Sequence, residues 1–244
     1  MPFTISKTNI RAKIKQPGKL LLLALLGTPL TLLPLYEGLK QTSSFEASLL
    51  SAIGPIFTIF GGWLILKEKL NKSEKLGASL ALIGTLIITF VDGGHKDFSF
   101  GNGNLLIVLS NIIWTAFLLL SKRLKSDPIQ TSLISYSVGA LFFGLYACFQ
   151  GIPLVTKSLF NSSNLLLIGY LSVFGSVVAF WAYYKAQSLI EASEAAIFTY
   201  LHPVFAFPLS IFWLKESIST PIMLGLALVV FGVFLSQRAT RVLK

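Results

Sequence analysis

The chain is 244 residues long, 54% hydrophobic and only 12% charged, with a formal net charge of +10 and a mean hydropathy of +0.74. Soluble domains carry about 25% charged residues, so half that share excludes an ordinary water-exposed surface. The one cysteine, Cys148, excludes an internal disulfide framework and a multi-cysteine metal site.

Taken in chain order, residues 1–19 form a basic tail. Eight apolar blocks follow, at 20–37, 45–66, 76–91, 104–121, 130–150, 164–184, 194–214 and 221–236. A helix crosses the hydrocarbon with about 17–25 apolar residues; the third and last blocks are short but can be completed by their flanks. The expected fold is an all-α polytopic membrane protein with eight transmembrane helices in a lipid bilayer. The run LLLLALLG behind the basic tail has the look of a signal peptide, but no small-residue cleavage site follows it. This block is expected to be retained as a structural helix.

With the N-terminus cytoplasmic and eight spans alternating, sixteen of the twenty Lys and Arg fall inside: Lys7, Arg11, Lys13, Lys15, Lys19, Lys67, Lys69, Lys72, Lys75, Lys122, Arg123, Lys125, Lys185, Arg238, Arg241 and Lys244. Lys40, Lys96, Lys157 and Lys215 fall outside. The split follows the positive-inside rule. It predicts a multi-pass protein of the cell (inner) membrane with both termini cytoplasmic. The positive charge is thus a topology signal, and no nucleic-acid partner is expected.

Sliding the sequence against itself by 148 residues, without gaps, pairs Gly27 with Gly175, Tyr36 with Tyr184, Glu46 with Glu194 and Pro55 with Pro203. The same register pairs Lys67-Glu68 with Lys215-Glu216, Gly77 with Gly225, and Gly84 with Gly232. Shared Leu and Ala mean little in apolar sequence; glycines, a proline and Lys-Glu pairs in one register mean much more. Equivalent helices are five spans apart, so the copies must run in opposite directions. Inverted-topology repeats recur in secondary transporters, with substrate held where the halves meet. The expected organisation is a tail (1–19), an incomplete first repeat of three helices (20–92), a complete second repeat of five (103–237) and a second tail (238–244). At the same offset the first copy lacks the counterparts of 104–121 and 130–150, an expected deficit of about 45 residues before Met1.

The segments FEASLLSAIGPIFTIFGGWLILKEKLNKSEKLGASLALIGTLIITF and SEAAIFTYLHPVFAFPLSIFWLKESISTPIMLGLALVVFGVFL each resemble the signature half of an EamA-type permease of the drug/metabolite transporter superfamily. In both, a helix rich in Ala and Ser starts the segment. A mid-helix proline, a closing acidic residue and a helix with two spaced glycines follow. NIIWTAFLLLSKRL resembles the first helix of a family repeat. The resemblance covers nearly the whole chain from about residue 20. It implies ten helices in two inverted five-helix repeats, lacking here the first two, and transport of small metabolites such as amino acids, often outward. It implies no cofactor. The alternative is a truncated, non-transporting or dimerisation-dependent protein of the same family, working as a homodimer if at all.

Polar and aromatic residues inside the spans supply the substrate-binding candidates: Ser51, Asn111, Trp114, Tyr136, Tyr184, Thr199, Tyr200 and His202. Pro55 and Pro203 each free a carbonyl four residues earlier and are expected at a hinge or cavity wall. His202 has Gly54 as its symmetry mate, so it belongs to one half only; an imidazole there suits proton coupling or a substrate hydrogen bond. Ser48, Ser51, Pro55, Thr58 and Gly62 fall on one helix stripe, suited to close packing or to a polar cavity wall. Gly77, Gly84, Gly225 and Gly232, seven apart in each pair, are expected to pack helices tightly. Trp63 and Trp213 read as interface anchors. Glu68 and Glu216 close their helices and are expected to cap or pair with a neighbouring lysine. No HExxH, P-loop, G-x-S-x-G or paired catalytic carboxylates occur in the spans, so no enzyme activity, catalytic residue or metal site is expected.

Overall fold

The computed structural model describes residues 17–92, 101–153, 161–187, 189–206, 208 and 219–240. All regular structure among them is helical: α1 Pro17–Gly27, α2 Pro29–Leu39, α3 Ser44–Gly61, α4 Lys72–Asp92, α5 Asn102–Arg123, α6 Pro128–Phe149, α7 Ser162–Tyr170, α8 Ala179–Gln187, α9 Ala192–Thr199 and α10 Thr220–Thr240. Seven spans are long and apolar enough to cross a membrane, α1–α2 and α7–α8 each counting as one. The eighth expected block, 194–214, extends beyond the described residues, and Trp213, Lys215 and Glu216 lie outside them.

Three spans depart from simple α-helix. The first bends at Thr28, because Pro29 cannot donate and starts a new helix. Thr28 Oγ1 lies 2.8 Å from the Ala24 carbonyl and 2.9 Å from the Ser135 carbonyl, so the bend is tied both to its own helix and to α6. The sixth passes through a π-helical stretch, Leu171–Val178, between α7 and α8. A shorter π-helical turn, Gly62–Leu66, ends α3, where Lys67 adopts the left-handed backbone at φ 58°.

Helix α3 is continuous through Pro55. By contrast α9 stops at Thr199, and the chain is helical again from residue 202, which places Pro203 in the opening turn of the new segment.

The tightest helix pair is α4 with α10. A Cβ built on Gly77 would stand 2.4 Å from the Gly232 carbonyl oxygen, and one on Gly84 would stand 2.5 Å from the Gly225 carbonyl oxygen. These contacts run antiparallel, and the 148-residue offset maps one onto the other, as a twofold axis between the helices does. Ala81, Ile88, Val229 and Val233 from this pair, with Ile197 and Tyr200 from α9 and the turn after it, form one buried cluster. Leu23, Phe117, Leu118 and Tyr184 form a second, and Ala47, Leu50 and Ile107 a third. Phe117 lies against Gly27, where a Cβ would meet its ring at 2.9 Å. In this way α1–α2 packs on α5 and α6. The counterpart of α1–α2 at the 148 offset, the span Ser162–Gln187, is 0% buried over its apolar window.

Candidate functional site: a central polar cavity and a buried carboxylate lock

A cavity of about 660 Å³ lies between the two proline-bearing segments. From α3 it receives Ser48, Ser51, Gly54, Pro55 and Thr58, one per helical turn or nearly so, hence one face. Thr85, Ile88 and Thr89 of α4 form a second wall, and Asn111, Trp114 and Leu118 of α5 a third. Tyr183 of α8, then Ala196, Thr199, Tyr200, His202 and Pro203, close the circuit. No Asp, Glu, Lys or Arg lines it among the described residues. Hydroxyls, one amide, one imidazole and aromatic faces make an environment that can hydrogen-bond and stack but offers a ligand no countercharge.

Several of these groups are already fixed. Asn111 Nδ2 donates to the Leu50 carbonyl of α3 at 3.1 Å, which leaves its Oδ1 next to Gly54. Thr58 and Thr115 hydroxyls pair at 3.3 Å. Thr199 Oγ1 donates to the Ala196 carbonyl at 2.6 Å, while Tyr200 is almost fully buried and its hydroxyl has no partner among the described residues. Trp114 is held edge-on by Phe180 at 5.8 Å between ring centroids and tilted against Phe117 at 5.3 Å.

Of the sequence candidates, Ser51, Asn111, Trp114, Thr199, Tyr200, His202, Pro55 and Pro203 all lie on this cavity. Tyr136 and Tyr184 do not. Tyr136 is edge-on to Phe180 at 5.8 Å, its hydroxyl buried and unpartnered among the described residues. Tyr184 is buried against Phe117, and its neighbour Tyr183 takes the cavity position instead. Thr85, Thr89 and Tyr183 are lining residues that sequence reasoning missed. The first two sit four apart on α4, a spacing that a search for polar stripes would have found. Gly62, expected on the α3 stripe, is instead at the foot of the helix, where a Cβ would come within 2.7 Å of Glu68 Oε2.

That carboxylate ties the segment after α3 to the start of α9, beyond the cavity-lining residues of both. Glu68, 8% exposed, follows the π-helical turn after α3 and reaches the first residues of α9. Its Oε1 accepts from the Ala192 backbone N–H at 2.8 Å; its Oε2 accepts from the Ser193 N–H at 3.0 Å and from Ser193 Oγ at 2.8 Å. Lys122 Nζ, at the end of α5, stands 3.2 Å from Oε1 and also donates to the Ile190 carbonyl. Glu68 thus caps α9 from another helix, supplying the acceptors that the open N–H groups of a helix start require. Its partner cation is Lys122 rather than the adjacent Lys67 or Lys69. Burial pushes the Glu68 carboxyl up, but the Ser193 and Ala192 donors and Lys122 outweigh burial, and the group is held below the ordinary carboxylate range. Glu191 moves the other way, raised by burial and then by the nearby Glu68 and Glu74 carboxylates. Helix α3 is capped locally instead, by a reciprocal Ser43–Glu46 pair.

At the opposite end Ser48, Ser51, His202 and Ala206 are exposed, so the cavity is reached from that side.

Comparison with known proteins places this geometry. The EamA-like transporter family matches residues 1–90 and 101–237. The chain is similar to the uncharacterized transporter YyaM of Bacillus subtilis (strain 168), 26% identical over 86% of this chain and 69% of that protein. It is similar to an uncharacterized transporter of Methanothermobacter thermautotrophicus, 30% identical over 94% of this chain and 67% of the relative. The uncharacterized inner membrane transporter YedA of Escherichia coli (strain K12) is 28% identical, with 80% of this chain matching 62% of that one. The chain therefore spans roughly two thirds of the length of these relatives. A crystal structure superposes with a TM-score of 0.78 over 92% of this chain and 79% of the other, at 19% identity, which supports the helical fold alone.

Proposed function

Because the chain belongs to the EamA-like transporter family and is a membrane transporter protein, we propose that it moves small polar metabolites, such as amino acids, as a secondary transporter of the cell (inner) membrane. Both termini face the cytoplasm, transport is outward, and access alternates between the inverted halves.

The observation that carries this reading is the central cavity, walled by hydroxyls, Asn111, His202 and Trp114. Its volume, about 660 Å³, is in the range of small-molecule sites. With no charged side chain on its described walls, it favours ligands without net charge, of which zwitterionic amino acids are the metabolite example. Such a ligand fits between the hydrogen-bonding face of α3 and the ring of Trp114. In the proposed orientation the Glu68–Lys122–Ser193 cluster lies at the cytoplasmic end, and the conformation is open to the other side. Opening inward requires the cluster to separate while Pro55 and Pro203 re-bend their helices.

The test is counterflow of labelled neutral amino acids into proteoliposomes holding this chain. Saturable exchange that is lost in Trp114→Ala supports the reading; no exchange across a broad panel of neutral metabolites overturns it. A second reading, transport only as a homodimer, is favoured by the bare face of the Ser162–Gln187 span. Monomers in detergent that nevertheless exchange substrate at single-copy occupancy per vesicle would eliminate it.

A further inference from the structure

A second cavity, of about 330 Å³, opens where α5 turns into α6, and it shares no lining residue with the central one. Its chemistry is the reverse of the central cavity's. Lys122 and Lys125 line it, and Ser126, Thr131, Tyr184 and Gln187 complete its polar wall. Lys122 is committed to Glu68 and the Ile190 carbonyl. Lys125 makes no ion pair among the described residues. The carboxylate of this turn, Asp127, is occupied, accepting from the Gln130 N–H at 2.9 Å as the cap of α6. Of the two lysines on the cavity, Lys125 is thus the one open to an anion.

Two features give the site a shape as well as a charge. Thr131 is 3% exposed, and its hydroxyl has no hydrogen-bond partner among the described residues, although it lines the cavity. A buried hydroxyl without a partner is costly, and a helical threonine ordinarily satisfies itself on the preceding turn; Ser132 does so, on Pro128 at 2.8 Å. Lys125, for its part, ends α5 in the left-handed backbone at φ 50°. Its N–H reaches the Lys122 carbonyl at 3.0 Å and the Ser126 N–H reaches Ser121 at 3.2 Å, the paired closure that usually selects glycine. The end of α6 has the same closure with Gly151 at φ 66°. At α5 a lysine takes the glycine's place and puts an ammonium on the cavity.

We propose that this second cavity binds the phosphate group of an anionic ligand, with Lys125 as the countercharge and Thr131 and Gln187 as hydroxyl and amide donors. The site lies at the edge of the spans Asn102–Arg123 and Pro128–Phe149, the depth at which phospholipid headgroups lie and at which basic pockets between helices take them up. A headgroup phosphate and a free phosphate present the same oxygens, so the source is decided by experiment.

The purified full chain in zwitterionic detergent is melted with short-chain phosphatidylglycerol, short-chain phosphatidylcholine or inorganic phosphate, at constant ionic strength. The expected result is a rise in melting midpoint of about 5–10 °C at a hundredfold excess over Kd for an anionic phosphate ligand, and little for phosphatidylcholine. Response to phosphatidylglycerol alone identifies the headgroup; response to inorganic phosphate as well identifies a soluble phosphate. Lys125→Gly, which keeps the left-handed cap and should melt no lower than the parent without ligand, is expected to weaken the response at least tenfold. Thr131→Val, close in shape, is expected to weaken it too. Equal response to phosphatidylcholine and phosphatidylglycerol, no response to any ligand, or an undiminished response in both variants overturns the proposal.

Discussion

Replacing Gly77 with alanine tests the α4–α10 seam directly. The new Cβ would stand 2.4 Å from the Gly232 carbonyl oxygen and 2.8 Å from Ser236 Cβ, where ordinary contact begins at 3.4 Å, so the backbones must separate by 3.4 − 2.4 = 1.0 Å. The obstacle is a main-chain carbonyl with no rotamer to escape into. A gap of 0.5–1 Å forfeits roughly a quarter to a half of each dispersion well it opens, and the gap would run past Ala81, Ile88, Val229 and Val233, all buried on this seam. Overpacking of this kind costs about 1–3 kcal/mol. Gly84→Ala asks for 3.4 − 2.5 = 0.9 Å from the Gly225 carbonyl, almost the same separation. One displacement relieves both clashes, so the double variant should cost less than the sum of the two single ones. Gly144→Ala on α6 is the control: its Cβ meets nothing within 4 Å, and helix propensity favours it by up to about 1 kcal/mol. Denaturation of the detergent-solubilised chain, followed by circular dichroism, gives the comparison. A Gly77→Ala protein as stable as the parent, or a strictly additive double variant, would refute the steric account.

Glu68→Gln removes the charge from the α9 cap and from Lys122, and breaking one side of a buried pair costs on the order of 3–5 kcal/mol. Because the Glu68 carboxyl is held below its ordinary range in the folded state, its contribution is present above the unfolded carboxylate pKa. It is lost as pH falls through the lowered value, so the stability difference between parent and variant should shrink at acid pH. A difference that stays constant, or grows on acidification, contradicts this sign. His202→Gln retains a hydrogen-bonding side chain on the cavity, so counterflow should persist, whereas His202→Leu should raise the KM for exchange several-fold; an unaltered KM in the leucine variant would leave His202 as a packing residue. Asn111→Leu removes the donor to the Leu50 carbonyl. It should raise the KM for exchange several-fold through displacement of α3 and lower stability by about 1–3 kcal/mol, whereas an unaltered KM would detach Asn111 from the binding wall.

The membrane fold was legible because its signal is additive: eight long apolar blocks, and lysines sorted to one side, survive errors at single positions. Seven of those blocks appear as spans among the described residues. Side-chain direction late in the chain was harder to read. Tyr184 was expected on the site as an aromatic inside its span, yet the span passes through π-helix over Leu171–Val178, which adds residues per turn and rotates everything downstream, and Tyr183 takes the cavity position. The Glu68 lock was half visible. A closing acidic residue suggested capping, but its partners Lys122, Ala192 and Ser193 come from distant helices, and no local spacing announces them. Thr85 and Thr89 escaped notice because each is satisfied along its own helix, on Ala81 and Thr85, and such threonines look like ordinary helix surface.

The two prolines carry a consequence beyond lining a cavity. Residues matched in sequence, Ser51 to Ile53 and Thr199 to Leu201, have different backbones: a helix continuous through Pro55 on one side, and a break ahead of Pro203 on the other. One peptide motif thus holds two shapes at once in a single molecule. Under the alternating access proposed above, that difference would separate an opening to one face of the bilayer from an opening to the other. If the halves traded shapes, with α3 broken and α9 straight, the access route would invert without any new contact type.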